Sequence, residues 1–447
     1  MSYSQLYMNA RGLAGFFSQR GLQKGDIVVL DLTEVLPLIE LFWACSISGI
    51  IAFPVNTRFP KPTLRGMIEA LKPGLVISDR GLTSDSLKYA DLDHTQVAID
   101  SKMWQPDLPA TFLMTSGSSA QSKIVVHSHQ NHMASAFGSN LNIPVELDDR
   151  WMLTLPLYHV GGLSILYRTI LAGAAVVFPS SRQTYLTDIE KHQITHISLV
   201  ATQFQRLIQE PGAIDILKQV KAILLGGSAI PDSLIQDALG KDLPIHLSYG
   251  STEMASQICT TAEADRATGL KHSGRLLAGR DLIISHEGEI HVRGETLALG
   301  YRNGSETIDL RDDEGWFHSG DVGYLDVNGA LTVLGRMDNQ FISGGENIQP
   351  EYIETTLMQM EGIQQALVLP QADAEFGMRP VAYLSMDENG PSAGEMNEEV
   401  RRSLPGYMVP VSYYSLPELP EAGDLKISRH ELAEYLADSN KHLHTIK

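Results

Sequence analysis

The sequence predicts an α/β protein with parallel sheets, continuing into a small antiparallel β-barrel or sheet and ending in a compact α+β C-terminal part. Three observations carry this expectation. Short apolar runs alternate with helix-like segments over the first two-thirds of the chain, and strands alternating with helices imply parallel sheets covered on both faces. Near residue 281 the texture changes, and Asp281 to Gly300 alternates apolar and polar residues with glycine turns at Gly288 and Gly294. Beyond Gly335-Arg336-Met337-Asp338 lies a tail of about a hundred residues, enough for a separate compact unit.

Ile27 to Leu32 is expected as a strand, Leu36 to Ser48 as a helix and Ile50 to Val55 as a strand. Glu40 and Gly49 interrupt this apolar stretch and Pro54 ends it, so a buried helix and strand fit better than a membrane span. Ala174 to Phe178, His196 to Val200, Ala222 to Leu225 and Pro244 to Leu247 are further strands. Leu163 to Leu171, Gln203 to Gln209 and Asp232 to Leu239 are the helices that alternate with them. The tail is expected as helix Glu351 to Met360, strands Ala366 to Leu369 and Val381 to Met386, helix Glu395 to Leu404, then a strand and a final helix.

The 447 residues allow two or three domains, and 43% hydrophobic residues is ordinary for a globular protein. A net charge of −19 without a basic run argues against a nucleic-acid surface and against attraction to an anionic membrane. Cys45 and Cys259 lack a C-x-x-C partner, which points to buried reduced thiols in a cytosolic protein. The N-terminus has no basic region ahead of an apolar core, so no signal peptide is expected and the expected location is cytoplasmic.

Five short blocks carry the chemistry. Thr115-Ser116-Gly117-Ser118-Ser119-Ala120-Gln121-Ser122-Lys123 lies between two strand-like stretches. Such a loop can aim backbone N–H groups and hydroxyls at an oxyanion, with a cation at its end. It lacks the spacing of a Walker loop, and alone it is equally a plain connection. Tyr249-Gly250-Ser251-Thr252-Glu253 follows a strand, where a tyrosine either stacks on a flat purine or packs in the core. In Phe317-His318-Ser319-Gly320-Asp321 the carboxylate either receives two ribose hydroxyls or simply shapes a turn. Arg336, in the fourth block, is by itself a candidate for a surface ion pair, and Lys426, in Leu425-Lys426-Ile427-Ser428-Arg429, for a solvated surface charge.

In this order and content the blocks resemble the adenylate-forming family of acyl-CoA ligases, peptide-synthetase adenylation domains and beetle luciferases, from about residue 3 to residue 432. The resemblance implies a large N-terminal domain, 1–337, with the ATP and acyl pocket. A small mobile C-terminal domain, 338–447, would carry the catalytic lysine and a CoA-side loop and turn about a hinge at Asp338. It implies attack of a carboxylate on the α-phosphate of ATP, in which two anions must meet and catalysis is mainly positioning and charge neutralisation. Thr115, Ser116, Gly117, Ser118 and Lys123 would then cradle phosphate, and Tyr249 and Gly250 the adenine. Thr252 would touch the α-phosphate and Glu253 would hold Mg²⁺, which favours a carboxylate together with substrate phosphates. Asp321 would take the ribose, Arg336 ribose and phosphate, and Lys426 the reacting carboxylate and α-phosphate. The chain departs from the family pattern at Ala120, Ser122, Ile124, Ser319 and Leu425.

Leu155-Pro156-Leu157-Tyr158-His159-Val160-Gly161-Gly162 resembles the start of the family's acyl pocket, with His159 as its gate; read alone, His159 is a helix-capping or core histidine. The aspartate that amino-acid-activating relatives carry in this block is absent. Gly344 to Pro350 resembles the loop of CoA ligases that lines the thioester-forming side, so free coenzyme A is the expected acceptor. His196 to Leu207, Leu224 to Pro231 and Lys426 to Arg429 resemble the 2-succinylbenzoate–CoA ligases of menaquinone synthesis. Gly226, Gly227 and Ser228 would leave room for an aromatic ring beside the adenine, and Thr202 and Arg206 would meet the succinyl carboxylate. Relatives carry further residues ahead of the first helix, so the first part of the family's N-terminal subdomain is expected to be missing. The expected activity is ATP- and Mg²⁺-dependent ligation of 2-succinylbenzoate to CoA. Another aryl- or medium-chain acyl-CoA ligase and a non-catalytic nucleotide-binding homologue are the rivals. The expected partners are a small carboxylic acid, ATP and CoA, with a homodimer one option for the oligomeric state.

Overall fold

The computed structural model describes residues 1–94, 105–115, 123–417, 429–437 and 444–446. Two seven-stranded sheets form the body. The first runs, edge to edge, Glu306–Ile308, Gly300–Asn303, Ile124–Ser128, Pro109–Met114, Ile51–Pro54, Ile27–Asp31 and Leu75–Ser78. The second runs Arg275–Leu276, Ser256–Thr260, Ile245–Ser251, Ala222–Leu225, His196–Leu199, Arg150–Met152 and Ala175–Val177.

The expected parallel sheets are therefore mixed. Pro109–Met114, Ile51–Pro54, Ile27–Asp31 and Leu75–Ser78 pair in parallel, but Ile124–Ser128 runs antiparallel to Pro109–Met114. The cause is length: fewer residues separate Met114 from Ile124 than the dozen or so that a parallel crossover needs. The second sheet likewise turns antiparallel at Ser256–Thr260.

The helices form where the apolar pattern places them. Val35–Ser48 is buried along most of its length and stops at Gly49, whose φ of 66° suits the left-handed cap. His129–Asn142 starts at Ser128, whose side chain accepts from the Asn131 N–H while Asn131 returns a bond to the Ser128 backbone. Val160–Ala172, Ala201–Ile208 and Asp232–Gly240 follow strands Arg150–Met152, His196–Leu199 and Ala222–Leu225 respectively. No helix among the described residues is long and apolar enough to cross a membrane.

The alternating stretch after residue 280 takes the sheet form rather than the barrel form. Arg280–Ile284, Glu289–Gly294, Phe317–Leu325 and Leu331–Arg336 make a four-stranded antiparallel sheet with two free edges in the strand order. Past Arg336 come the hairpin Phe341–Ser343 with Glu346–Ile348 and the helix Pro350–Met358. Next is the long antiparallel pair Ile363–Asp373 with Gly377–Met386, then helices Ala393–Ser403 and Arg429–Ala437. This part has its own core, including Ile353, Leu357, Val368, Leu384, Met396 and Val400. Glu354 is buried beneath it, held by Arg429 at 2.6 Å through both oxygens and by the Val368 N–H at 2.7 Å; burial pushes its carboxyl up to about 7 despite Arg429.

Candidate functional site

Strands His196–Leu199, Ala222–Leu225 and Ile245–Ser251 are parallel neighbours, with Arg150–Met152 on the far side of His196–Leu199. Their carboxyl ends therefore open onto one edge, where ligands bind in open α/β sheets. Four candidate segments sit there. The loop with His159 follows the first of these strands in the chain, Thr202 and Arg206 the second, Gly226-Gly227-Ser228 the third, and Tyr249 lies near the end of the fourth.

His159 occupies the N-cap position of Val160–Ala172 without making a side-chain capping bond. Burial, and secondarily the charge of Arg58, pushes its imidazole down to about 4. Thr202 and Arg206 are one helical turn apart on Ala201–Ile208 and so share a face; Arg206 is exposed. Gly227 has a φ of 82°, and a side chain at Gly226 would meet the Ser248 carbonyl at 3.2 Å. The backbone there stays bare.

Gly250 has a sharper reason to be glycine. It lies at a bulge between Ile245–Ser251 and Ser256–Thr260, where an added Cβ would stand 1.9 Å from the Ser256 oxygen. Gly250→Ala is expected to cost about 3 kcal/mol, seen as a lower denaturation midpoint, because backbone atoms must move to admit one methyl group.

The Tyr249, Asp321 and Arg336 side chains meet. The Tyr249 hydroxyl donates to Asp321 Oδ2 at 2.6 Å, and Arg336 Nη1 donates to Asp321 Oδ1 at 3.2 Å and to the Ser319 carbonyl at 2.9 Å. Burial raises the Asp321 carboxyl above its ordinary value, opposed by Tyr249 and Arg336. Burial, and secondarily the same carboxylate, raises the Tyr249 phenol. Each carboxylate oxygen has two lone pairs, so both can still accept from ribose hydroxyls. Arg336 also grips Asp338 through Nε and Nη2, each at 3.0 Å. The expected ribose ligand and the expected hinge residue are thus tied to one guanidinium. Gly320, with φ of 70°, lets that guanidinium lie close: a Cβ there would be 2.9 Å from Arg336 Nη2.

The Thr252–Glu253 corner is held separately. Glu253 Oε1 accepts from the Tyr301 hydroxyl at 2.7 Å, and its other oxygen bonds none of the described residues. The Lys123 ammonium stands 4.7 Å from the centroid of the same Tyr301 ring. One oxygen fixed and one uncommitted, close to a cation that can meet phosphate, suits Mg²⁺ bound with substrate phosphates. Thr115 and Lys123 close the base of the phosphate loop, with Thr115 N donating to the Lys123 carbonyl at 2.9 Å and Lys123 N to Thr115 Oγ1 at 3.2 Å. Ser116, Gly117, Ser118 and Lys426 lie outside the described residues.

Three residues joined to this site were not singled out from the sequence. His127 is buried and bonds the Thr252 carbonyl through Nε2 at 2.7 Å, so that nitrogen carries the proton. A histidine closing the apolar run Ile124-Val125-Val126 was the available signal. Tyr301 steadies Glu253, and Glu289 Oε1 accepts from the Gly320 N–H at 2.9 Å. These two pairings, one from a strand to the turn after Ser251 and one between neighbouring strands, join residues distant in sequence and had no local signal.

The profile of the AMP-binding enzyme family matches residues 1–302, and that of the AMP-binding enzyme C-terminal domain matches residues 352–426. Among named proteins, the 2-succinylbenzoate–CoA ligase of Salmonella typhimurium is 35% identical over 431 residues, covering 96% of this chain and 91% of its own. That of Bacillus subtilis is 29% identical over 455 residues, covering 97% and 93%. Among solved structures, the o-succinylbenzoate CoA synthetase of Bacillus subtilis with its acyl-adenylate intermediate superposes with a TM-score of 0.86 at 27% identity, covering 100% of this chain and 94% of that one. The same enzyme with ATP and magnesium ion gives 0.85 at 28% identity, covering 96% and 94%. With one family profile spanning well over half of its length and these relatives aligned along nearly all of it, the chain belongs to the AMP-binding enzyme family.

Proposed function

We propose that the protein is an ATP- and Mg²⁺-dependent acid–CoA ligase that converts 2-succinylbenzoate to 2-succinylbenzoyl-CoA through an acyl-adenylate, as in menaquinone biosynthesis. The observation that carries this is the joining of Tyr249, Asp321, Arg336 and Asp338 in one hydrogen-bonded set at the strand edge where the acyl-pocket segments end. Similarity along the whole chain to proteins named for this reaction supports the acid.

In this reading the substrate carboxylate attacks the α-phosphorus of ATP, pyrophosphate leaves, and the acyl-adenylate forms. The CoA thiolate then attacks the acyl carbonyl carbon and AMP leaves. Asp321 accepts the ribose hydroxyls, Arg336 spans ribose and phosphate, and Tyr249 offers its ring face to adenine. Lys123 and Lys426 bring positive charge to the phosphates and the attacking carboxylate, where fixed charges act without reorganising. Glu253 would hold Mg²⁺, which supplies charge neutralisation across the phosphates when bound. The acyl group lies among His159, Thr202, Arg206 and Gly226. Residues 1–337 and 338–447 act as two domains that turn at Asp338. The buried thiols of Cys45 and Cys259 fit a reducing, cytoplasmic setting.

The test is product mass after incubation with ATP, Mg²⁺, CoA and a panel of 2-succinylbenzoate, benzoates and fatty acids. The expected product is succinylbenzoyl-CoA with AMP and pyrophosphate. A different acyl-CoA would discard the substrate and keep the mechanism. No product from any acid, with ATP still bound, would make the chain a non-catalytic homologue. In the same assay Lys426→Ala is expected to lose adenylation and retain ATP binding.

A further inference from the structure

Glu289 and His291 lie on Glu289–Gly294, and His318 lies opposite His291 on the neighbouring strand Phe317–Leu325. The two imidazoles stack with centroids 3.9 Å apart. His291 Nε2 is 3.0 Å from Glu289 Oε2, and His318 Nδ1 is 3.5 Å from the same oxygen. The three potential ligand atoms all lie within 4.8 Å of one another. The Glu289 and His291 side chains are 14% and 13% exposed and the His318 side chain 51%, so the group has a protected back and an open side.

The hydrogen bonding of His318 leaves an electrostatic gap. Its Nε2 is 2.9 Å from Asp312 Oδ2, the shorter of its two carboxylate contacts, and takes the N–H there. His291 Nε2 donates to Glu289 Oε2 when no metal is bound and ligates only once that ring carries its proton on Nδ1. In the neutral His318 ring Nδ1 then presents a lone pair to Glu289 Oε2, an acceptor facing an acceptor. A cation between them removes the conflict. Ligand atoms about 2.0–2.1 Å from a tetrahedral metal lie roughly 3.4 Å apart, close to the two separations from Glu289 Oε2, 3.0 Å to His291 and 3.5 Å to His318.

The surroundings are arranged as they are behind metal ligands. The Asp312–His318 pair is the carboxylate–imidazole contact that orients a ligating histidine. Asp312 Oδ1 is itself held by the Glu314 and Trp316 N–H groups at 2.9 and 2.8 Å. Glu289 Oε1 accepts from the Gly320 N–H at 2.9 Å, leaving Oε2 toward the histidines. Two imidazoles and one carboxylate suit Zn²⁺ or a similar transition-metal dication, whereas Mg²⁺ prefers oxygen ligands.

We propose that Glu289, His291 and His318 form a binding site for one transition-metal dication of the Zn²⁺ type, distinct from the Mg²⁺ assigned to Glu253, with further coordination positions open to water. Because Glu289 also holds Gly320, occupancy fixes the turn that precedes Asp321.

The experiment uses the full chain freed of metal by chelation. Zn²⁺ is followed by equilibrium dialysis, and Co²⁺ by its visible absorption. Wild-type protein is expected to bind one Zn²⁺ per chain and to give a Co²⁺ spectrum of a low-coordinate site with nitrogen ligands. His291→Ala and His318→Gln are each expected to weaken Zn²⁺ at least tenfold and abolish that spectrum. Asp312→Asn is expected to weaken it roughly 10-fold to 100-fold, the usual effect of losing a partner behind a ligand. His286→Ala, on the exposed turn before Glu289, should leave binding unchanged. A rival arrangement, with His318 protonated on both nitrogens between Glu289 and Asp312, predicts no stoichiometric binding. That result, or Zn²⁺ affinity unmoved in His318→Gln protein with a wild-type thermal midpoint, would overturn the site. None of these readings depends on the ligase activity.

Discussion

Asp321→Ala is expected to lower kcat/KM for adenylation by about 10²–10³-fold, the size of losing a pre-aligned polar contact in a closed site. The carboxylate is placed to serve two functions at once. It accepts from Tyr249 at 2.6 Å and from Arg336 at 3.2 Å, and so keeps the aromatic ring and the guanidinium in register. It also retains lone pairs for the two ribose hydroxyls. Alanine removes both functions and leaves the half-buried Tyr249 hydroxyl without this acceptor. Asp321→Asn preserves shape but replaces one acceptor oxygen with a donor, so an intermediate loss is expected. Isotope exchange between pyrophosphate and ATP, run over a range of ATP concentrations, checks it. A loss expressed mainly in KM for ATP fits a ribose clamp. A lower folding midpoint with unchanged activity per folded molecule would make Asp321 an anchor between strands and nothing more.

Between pH 7 and pH 5 the protein is expected to lose several kcal/mol of stability through three buried histidines. His127, His129 and His132 occupy the end of Ile124–Ser128 and the start of His129–Asn142. His132 Nε2 is 2.8 Å from Thr111 Oγ1 and His129 Nδ1 is 2.7 Å from the Tyr167 hydroxyl, while the His132 ring stacks on Tyr167 at 4.8 Å. Burial pushes His127 and His129 down to about 4. It pushes His132 well below the usual histidine range, with the other two adding repulsion. The unfolded chain takes up protons below about 6.5, whereas the fold resists until about 4. Stability present at neutral pH is therefore lost as pH falls through that window, by about 2 kcal/mol at pH 5 for each of His127 and His129. Denaturant titrations at pH 7.5 and 5.0 read this directly. Equal unfolding free energies at the two values would mean that these rings accept protons inside the fold. Since the fold keeps His127 neutral down to about 4, its bond to the Thr252 carbonyl persists across this window, and activity per folded molecule should not change through that contact.

The helices and strands were legible to within a few residues where one period dominated. Leu36 to Ser48 was expected as a helix and the structure has Val35–Ser48; Ala222 to Leu225 was expected as a strand and is one. The helix expected at Leu163 begins earlier, at Val160, because glycines at 161 and 162 lack an apolar signal yet fit where the turn packs closely; a Cβ at Gly162 would stand 2.2 Å from the Pro156 oxygen. Antiparallel pairing of Ile124–Ser128 was the main departure. Its cause, a connection too short for a crossover, was in the sequence but is a matter of chain length rather than of hydrophobic pattern. At the site, glycine-containing blocks marked Gly226, Tyr249 and Asp321, since bare backbone is a local signal, although Asp321 itself lies within the strand Phe317–Leu325 and not at its end.

The sequence by itself determined the alternating architecture, the order of the five chemical blocks and the family they resemble, because each of these is written in neighbouring residues. Only the tertiary structure decided the partners: Tyr249 with Asp321, Tyr301 with Glu253, His127 with Thr252 and Glu289 with Gly320. The members of each pair are separated by many residues, and a hydrogen bond of 2.6–2.9 Å depends on strand register and sheet twist, which no local pattern encodes.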